Sequence, residues 1–103
     1  MSVFGTVFMP QMALATFGND TWNDSQQVSA DSIQLHPGAH VLHYSSTCFE
    51  GMKAFRHADD SVHVFRMDQN IKRFEQSSRL LSLPKINTHQ VESMILDIVA
   101  QYA

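Results

Sequence analysis

One arginine stands out for having no acidic neighbour on its own helix. Between Asp68 and Pro84, Asp68 and Lys72 are spaced i, i+4, as are Glu75 and Arg79, a spacing that offers ordinary surface ion pairs. Arg73 differs, because the residues three and four positions away are Asn70, Gln76, Gln69 and Ser77. A cation near a helix N-terminus is opposed by the macrodipole unless an anion from elsewhere joins it, which makes Arg73 a candidate phosphate or carboxylate ligand. The alternative is a solvated arginine. A second concentration of chemistry lies in HVLHYSSTCFEGMKAF, where Tyr44, Phe49 and Met52 gather around Gly51 and small hydroxyl residues. Aromatic walls beside a glycine and a few polar groups suit a small apolar-ligand pocket; the alternative is a core strand whose aromatics simply pack.

Other chemistries find less support. The six histidines lack metal-site spacing: His40 and His43 fall on opposite faces of a strand, His57 and His63 flank a hairpin loop without being directly opposite, and no helical i, i+4 pair exists. No metal site is expected. Cys48 is the only cysteine, so an intramolecular disulfide is impossible; a buried, inert thiol in a reducing cytosol is the expectation. Neither a Gly-rich phosphate loop nor a nucleophile elbow is present. With 7 Lys+Arg against 10 Asp+Glu, the net charge of -3 offers no field for nucleic acid and no polybasic membrane patch. The apolar start MSVFGTVFMPQMALATF lacks a basic leader and is interrupted by Gly5, Pro10 and Gln11, so it reads as folded chain rather than as a signal.

The elements that must position these residues follow from pattern. A length of 103 residues, 44% of them apolar, suits one domain with one core. Residues 3–17 suggest two short extended pieces interrupted at Pro10, and the Asn-, Asp- and Ser-rich 18–31 a surface loop. Residues 32–35 alternate as a strand closed by a turn at His36-Pro37-Gly38, and residues 39–44 and 48–55 continue as apolar runs, with Gly51 permitting a close backbone approach. Residues 53–57 and 62–66 predict a hairpin around the loop Ala58-Asp59-Asp60-Ser61. Two helices follow. The first is capped by Asp68, carries Ile71, Phe74, Ser78 and Leu81 on one face and stops at Pro84; the second starts near Asn87 or Thr88 and carries an apolar stripe from Val91 to Tyr102. Strands first and helices last argue an α+β fold, a largely antiparallel sheet covered by two C-terminal helices. The second helix meets no stop signal before Ala103, as in a chain that has been cut.

HVLHYSSTCFEGMKAF followed by VFRMDQNIKRFEQSSRLLSLP, together with FGTVF at 4–8 and LHPGAHVLHY at 35–44, resembles the amino-terminal domain of branched-chain amino acid aminotransferases. These are class IV, fold-type IV pyridoxal-phosphate enzymes, and the wording FEGMKAF is most similar to the branch containing the animal enzymes. The resemblance implies that residues 1–103 form the small N-terminal domain and that a larger catalytic domain, with the Schiff-base lysine, is absent. By position, Arg73 would bind the phosphate of pyridoxal phosphate. Phe49 would form the aromatic wall of the substrate side-chain pocket, with Gly51 behind it, and Tyr44 would reach the pocket of a neighbouring subunit. The implied protein is a cytoplasmic homodimer that moves the amino group of leucine, isoleucine or valine to 2-oxoglutarate, with no nucleic-acid or membrane partner, and the fragment alone is expected to be inactive. Competing readings are a D-amino acid aminotransferase or aminodeoxychorismate lyase on the same scaffold, and a non-catalytic α+β interaction domain.

Overall fold

A computed structural model describes residues 7–102. The first part of the expected 3–17 segment, Phe4, Gly5 and Thr6 of the FGTVF match, and Ala103 lie outside the described residues. Nine elements follow in order: β1 Gln11–Leu14, β2 Phe17–Gly18, β3 Thr21–Trp22, β4 Gln26–Ser29, α1 His40–His43, β5 Ala54–Arg56, β6 Val62–Val64, α2 Met67–Leu80 and α3 Thr88–Gln101. The fold is α+β, all strand pairing is antiparallel, and the two long helices come last.

The strands form three separate two-stranded ribbons. β1 pairs with β4 from Gln11↔Ser29 to Leu14↔Gln26, and nested inside that pair Phe17↔Trp22 and Gly18↔Thr21 close a second hairpin. Half of the loop expected at 18–31 is therefore strand. Asn19 and Asp20 sit at φ 53° and 62°, the left-handed pair required by a two-residue type I′ turn, so their turn chemistry connects strands instead of dissolving them. Phe17 and Trp22 meet edge to face at 5.1 Å across this hairpin. The strand expected at 32–35 does not form: Ser32 turns back through a 3.0 Å bond from its N–H to Ser29 O, and Ile33 and Leu35 stay exposed. The turn at 36–38 does form, closed by Ala39 N–H on His36 O at 2.9 Å, and it leads into the single-turn α1 where an extended run was expected. The sequence from Ala39 to Tyr44 lacks strict alternation, so local turn bonding prevails there.

β5 and β6 pair Ala54↔Val64, Phe55↔His63 and Arg56↔Val62, and Phe65 N–H on Lys53 O at 2.9 Å lengthens the ladder toward the expected limits. His57 N–H reaches Ser61 O at 2.7 Å and Asp60 takes φ 67°, so the loop proper is three residues with its last in the left-handed region. The hairpin hands directly to α2 through Arg66, itself at φ 55°, whose guanidinium lies 5.4 Å from the Phe65 ring centre. Arg66, not Asp68, is the N-cap residue, and it makes no side-chain cap. The reversal at Arg66 starts the helix earlier than expected and leaves Asp68 in the first turn, where its charge suits the dipole.

α2 ends on a Schellman motif, ahead of the expected stop at Pro84. Leu83 N–H bonds Ser78 O at 3.0 Å, Ser82 N–H bonds Arg79 O at 3.0 Å, and Ser82 occupies the left-handed C′ position at φ 56°. Glycine adopts that conformation without a Cβ penalty, so Ser82→Gly is expected to raise unfolding stability by up to about 1 kcal/mol in denaturant titration. α3 begins at the expected place, with the Asn87 side chain accepting from Gln90 N–H at 3.1 Å.

The β1–β4 ribbon lies along α3, and side-chain bonds tie it and the hairpin nested in it to the C-terminal part of the chain. Gln11 N–H donates to Tyr102 Oη at 3.1 Å, Gln90 Nε2 donates to Asn23 O at 2.7 Å, and Trp22 Nε1 donates to Lys85 O at 2.7 Å. Burial is thin for so apolar a chain. Among the described residues, Ile71 and Ile86 are the buried hydrophobic side chains, and the radius of gyration is 15.0 Å where a compact domain of this length has about 13 Å.

Candidate functional site

The segment from Ser46 to Met52 belongs to no strand pair, yet its accessibility alternates with the period of extended backbone: Ser46, Cys48, Glu50 and Met52 are partly covered, and Thr47, Phe49 and Gly51 are exposed. The covered residues meet α2. Cys48 Sγ lies 3.4 Å from Ser78 Oγ, and Glu50 reaches Arg73, so the segment runs antiparallel to the helix. Met52 and Glu50 then border a cavity of about 430 Å³ lined mainly by apolar side chains of α2 and α3, among them Ile71, Phe74, Ile95 and Val99.

Arg73 has an acidic partner, from outside its helix. Its Nε lies 3.0 Å and 2.9 Å from the two Glu50 carboxylate oxygens, and its Nη2 bonds Glu50 Oε1 and also Asn70 Oδ1, the latter at 3.2 Å. This fork-on-carboxylate arrangement is the one that gives guanidinium its preference for planar oxyanions. Glu50's side chain is only 11% exposed while Arg73's is 64% exposed, so the carboxylate is the sheltered partner and the guanidinium the accessible one. Among the described residues Nη1 of Arg73 makes no hydrogen bond. The expected Glu75–Arg79 pair forms at 3.7 Å, whereas Asp68–Lys72 is not among the ion pairs of the described residues.

The hydrogen bonds from Arg73, with its positive charge, hold the Glu50 carboxyl below the usual carboxylate range, and the same pairing raises Arg73. A carboxylate lowered on folding contributes stability that is complete above its unfolded pKa and is lost as pH falls through the folded value. The 48–52 segment should therefore stay clamped to α2 at neutral pH and loosen only on acidification below about pH 4.5, where unfolded carboxylates take up protons. Amide exchange across 48–52, followed against pH, should rise in that window in the native protein but show no such step in Glu50→Gln.

The remaining site residues are arranged differently from a closed pocket. Phe49 projects from the outer side of the segment at 89% exposure, and Tyr44, 70% exposed, rests against the rings of His40 and His43 at 4.8 Å and 6.4 Å. Neither packs into the core, and neither lines the 430 Å³ cavity; Met52 does. A Cβ on Gly51 would meet nothing within 4 Å, so the close approach expected at this glycine is not made by the described residues. Sequence reasoning missed Glu50; the available signal was Arg73 itself, whose lack of an acidic partner on its own helix called for an anion from another segment. His57 and His63 do come together, with ring centres 4.5 Å apart on one hairpin face, but no group of three metal-ligating side chains forms among the described residues. No helix among them is long and apolar enough to cross a membrane.

Fold and site together define an α+β segment that offers a guanidinium fork and an exposed aromatic from opposite sides of one extended strip. No family model matches the chain. It is 36% identical over 98 residues to branched-chain-amino-acid aminotransferase 2 of Bacillus subtilis, a match covering 94% of this chain and 27% of that protein. Against the cytosolic branched-chain-amino-acid aminotransferase of Rattus norvegicus it is 32% identical over 98 residues, covering 94% of this chain and 24% of the relative. A probable branched-chain-amino-acid aminotransferase of Streptomyces coelicolor is 45% identical over 65 residues, 63% of this chain and 18% of that protein. The chain belongs to the branched-chain amino acid aminotransferase family, and it spans roughly a quarter of the length of the first two relatives.

Proposed function

We propose that residues 1–103 are the small N-terminal domain of a pyridoxal-phosphate-dependent branched-chain aminotransferase, a cytoplasmic homodimer that moves the amino group of leucine, isoleucine or valine to 2-oxoglutarate. The observation that carries this reading is the 98-residue match, which takes in 94% of the chain but 27% of the relative. The lysine that anchors the cofactor belongs to the larger remainder of such a protein, and the segment alone is expected to be inactive.

The residues present fit the cofactor's phosphate at one point: Arg73 is accessible, already bonds a carboxylate through two of its nitrogens, and keeps Nη1 free for a further oxyanion. When bound, the cofactor supplies the electron sink for amino-group transfer. Arg73 would hold its phosphate. Phe49 covers the substrate's branched side chain with Gly51 behind it, while Tyr44 reaches toward the neighbouring subunit's pocket; both rings are free to do so, being exposed. A hydrophobic wall separates substrates differing by one methylene by only about 1–3 kcal/mol, so the three branched amino acids should overlap as substrates. The test is glutamate formation from 2-oxoglutarate by the complete protein supplied with pyridoxal phosphate. Leucine, isoleucine and valine should all serve as donors; turnover confined to D-alanine would move the protein to another branch of the scaffold.

A further inference from the structure

We infer that Glu50 is a positioning residue for the phosphate-binding arginine, an inference that rests on the role proposed for Arg73. Three observations point to it. The Glu50 carboxylate is sheltered at the edge of an otherwise apolar cavity, so an unpaired charge there would be costly, and Arg73 is its hydrogen-bond partner. Its two oxygens take up Nε and Nη2, the edge of the guanidinium facing back toward the strip, while Asn70 takes a further Nη2 bond. Because guanidinium is planar, fixing that edge fixes the direction of Nη1, the nitrogen left for an outside anion. Glu50 also joins the two halves of the site. It sits between Phe49 and Gly51, so the same bonds that orient Arg73 hold the exposed Phe49 in place beside α2.

A free arginine on an exposed helix face samples many rotamers, and a phosphate must select one of them; an arginine already held by a carboxylate has given up that freedom on folding. The carboxylate also offsets part of the cation's charge. Orientation outweighs this loss, because Nη1 makes no hydrogen bond among the described residues, the Arg73 side chain is largely accessible, and Glu50 is too enclosed to compete by swinging into solvent.

The test is a double-mutant cycle in the complete protein, read by equilibrium titration with pyridoxal phosphate and by competition with inorganic phosphate, and it does not require turnover. Glu50→Ala should weaken pyridoxal phosphate binding about tenfold, Glu50→Gln, which keeps a carbonyl acceptor for Arg73, should recover most of that loss, and Glu50→Ala should have little further effect when Arg73→Ala is already present. Equal loss on Glu50→Ala with and without Arg73 would overturn the inference, since the carboxylate would then act through the fold, and so would tighter binding in Glu50→Ala, since it would then be a competitor. If Glu50→Ala does not fold, the Glu50→Gln arm decides: binding within about threefold of the native protein supports the inference, and tighter binding overturns it. Undiminished binding in Arg73→Ala alone would instead remove the role proposed for Arg73, a failure separate from that of Glu50.

Discussion

Arg73→Ala in the complete protein should weaken pyridoxal phosphate affinity by about tenfold to a hundredfold, the range set by losing one charge-assisted hydrogen bond to a phosphate. The fold should survive the change. Arg73 lies on the exposed side of α2, whereas the helix is held by Ile71 and Ser78 on its buried face and by the Schellman motif at its end. The substitution does strand the sheltered Glu50 carboxylate, whose pKa should then rise toward or above its ordinary value as the bonds that lowered it are lost. A cofactor titration at two pH values separates the contributions. Loss of phosphate ligation weakens binding at pH 7 and persists at pH 5.5, while native Glu50, lowered by its partner, stays ionised at both.

Phe49→Ala is expected to separate stability from function most clearly. A side chain 89% exposed contributes little to folding here, so the unfolding midpoint of the isolated segment should move by no more than about 0.5 kcal/mol equivalent. In the complete enzyme the same ring is proposed to cover a branched aliphatic side chain, and losing that apolar contact should lower kcat/KM for leucine, isoleucine and valine by about tenfold to a hundredfold, on the scale of 1.5–3 kcal/mol for burying such a group. Native kcat/KM for all three would remove Phe49 from the pocket. A large loss of stability in the segment would mean that the ring supports the fold instead.

Much of the helical half was legible because its signals are local. Asn87 caps α3 through a bond to Gln90 three residues away, and the stripe from Val91 to Tyr102 needs only a period of 3.6 to be seen. The β5–β6 hairpin was legible for the same reason. The ribbon before it was not, since Asn19-Asp20 satisfies both a loop reading and a type I′ turn, and the decision rests on Phe17 meeting Trp22 across it. The change of register adds to the difficulty: between Leu14↔Gln26 and Phe17↔Trp22 three steps on one side face four on the other, which breaks the alternation along the sequence. Arg73 was conspicuous in sequence because of what its helix lacks, but its partner lies 23 residues away, beyond any helical spacing rule. The same gap explains why Phe49 and Met52, close in sequence, part company in space. Extended backbone sends alternate residues to opposite sides, so Met52 borders the cavity and Phe49 faces outward.

The most direct measurement is a crystal structure of the complete protein with pyridoxal phosphate bound, read at one nitrogen. We predict Nη1 of Arg73 at about 2.7–2.9 Å from a phosphate oxygen, with Nε still on Glu50. A phosphate held wholly by other residues, with Arg73 bonded to Glu50 and facing solvent, would contradict the account.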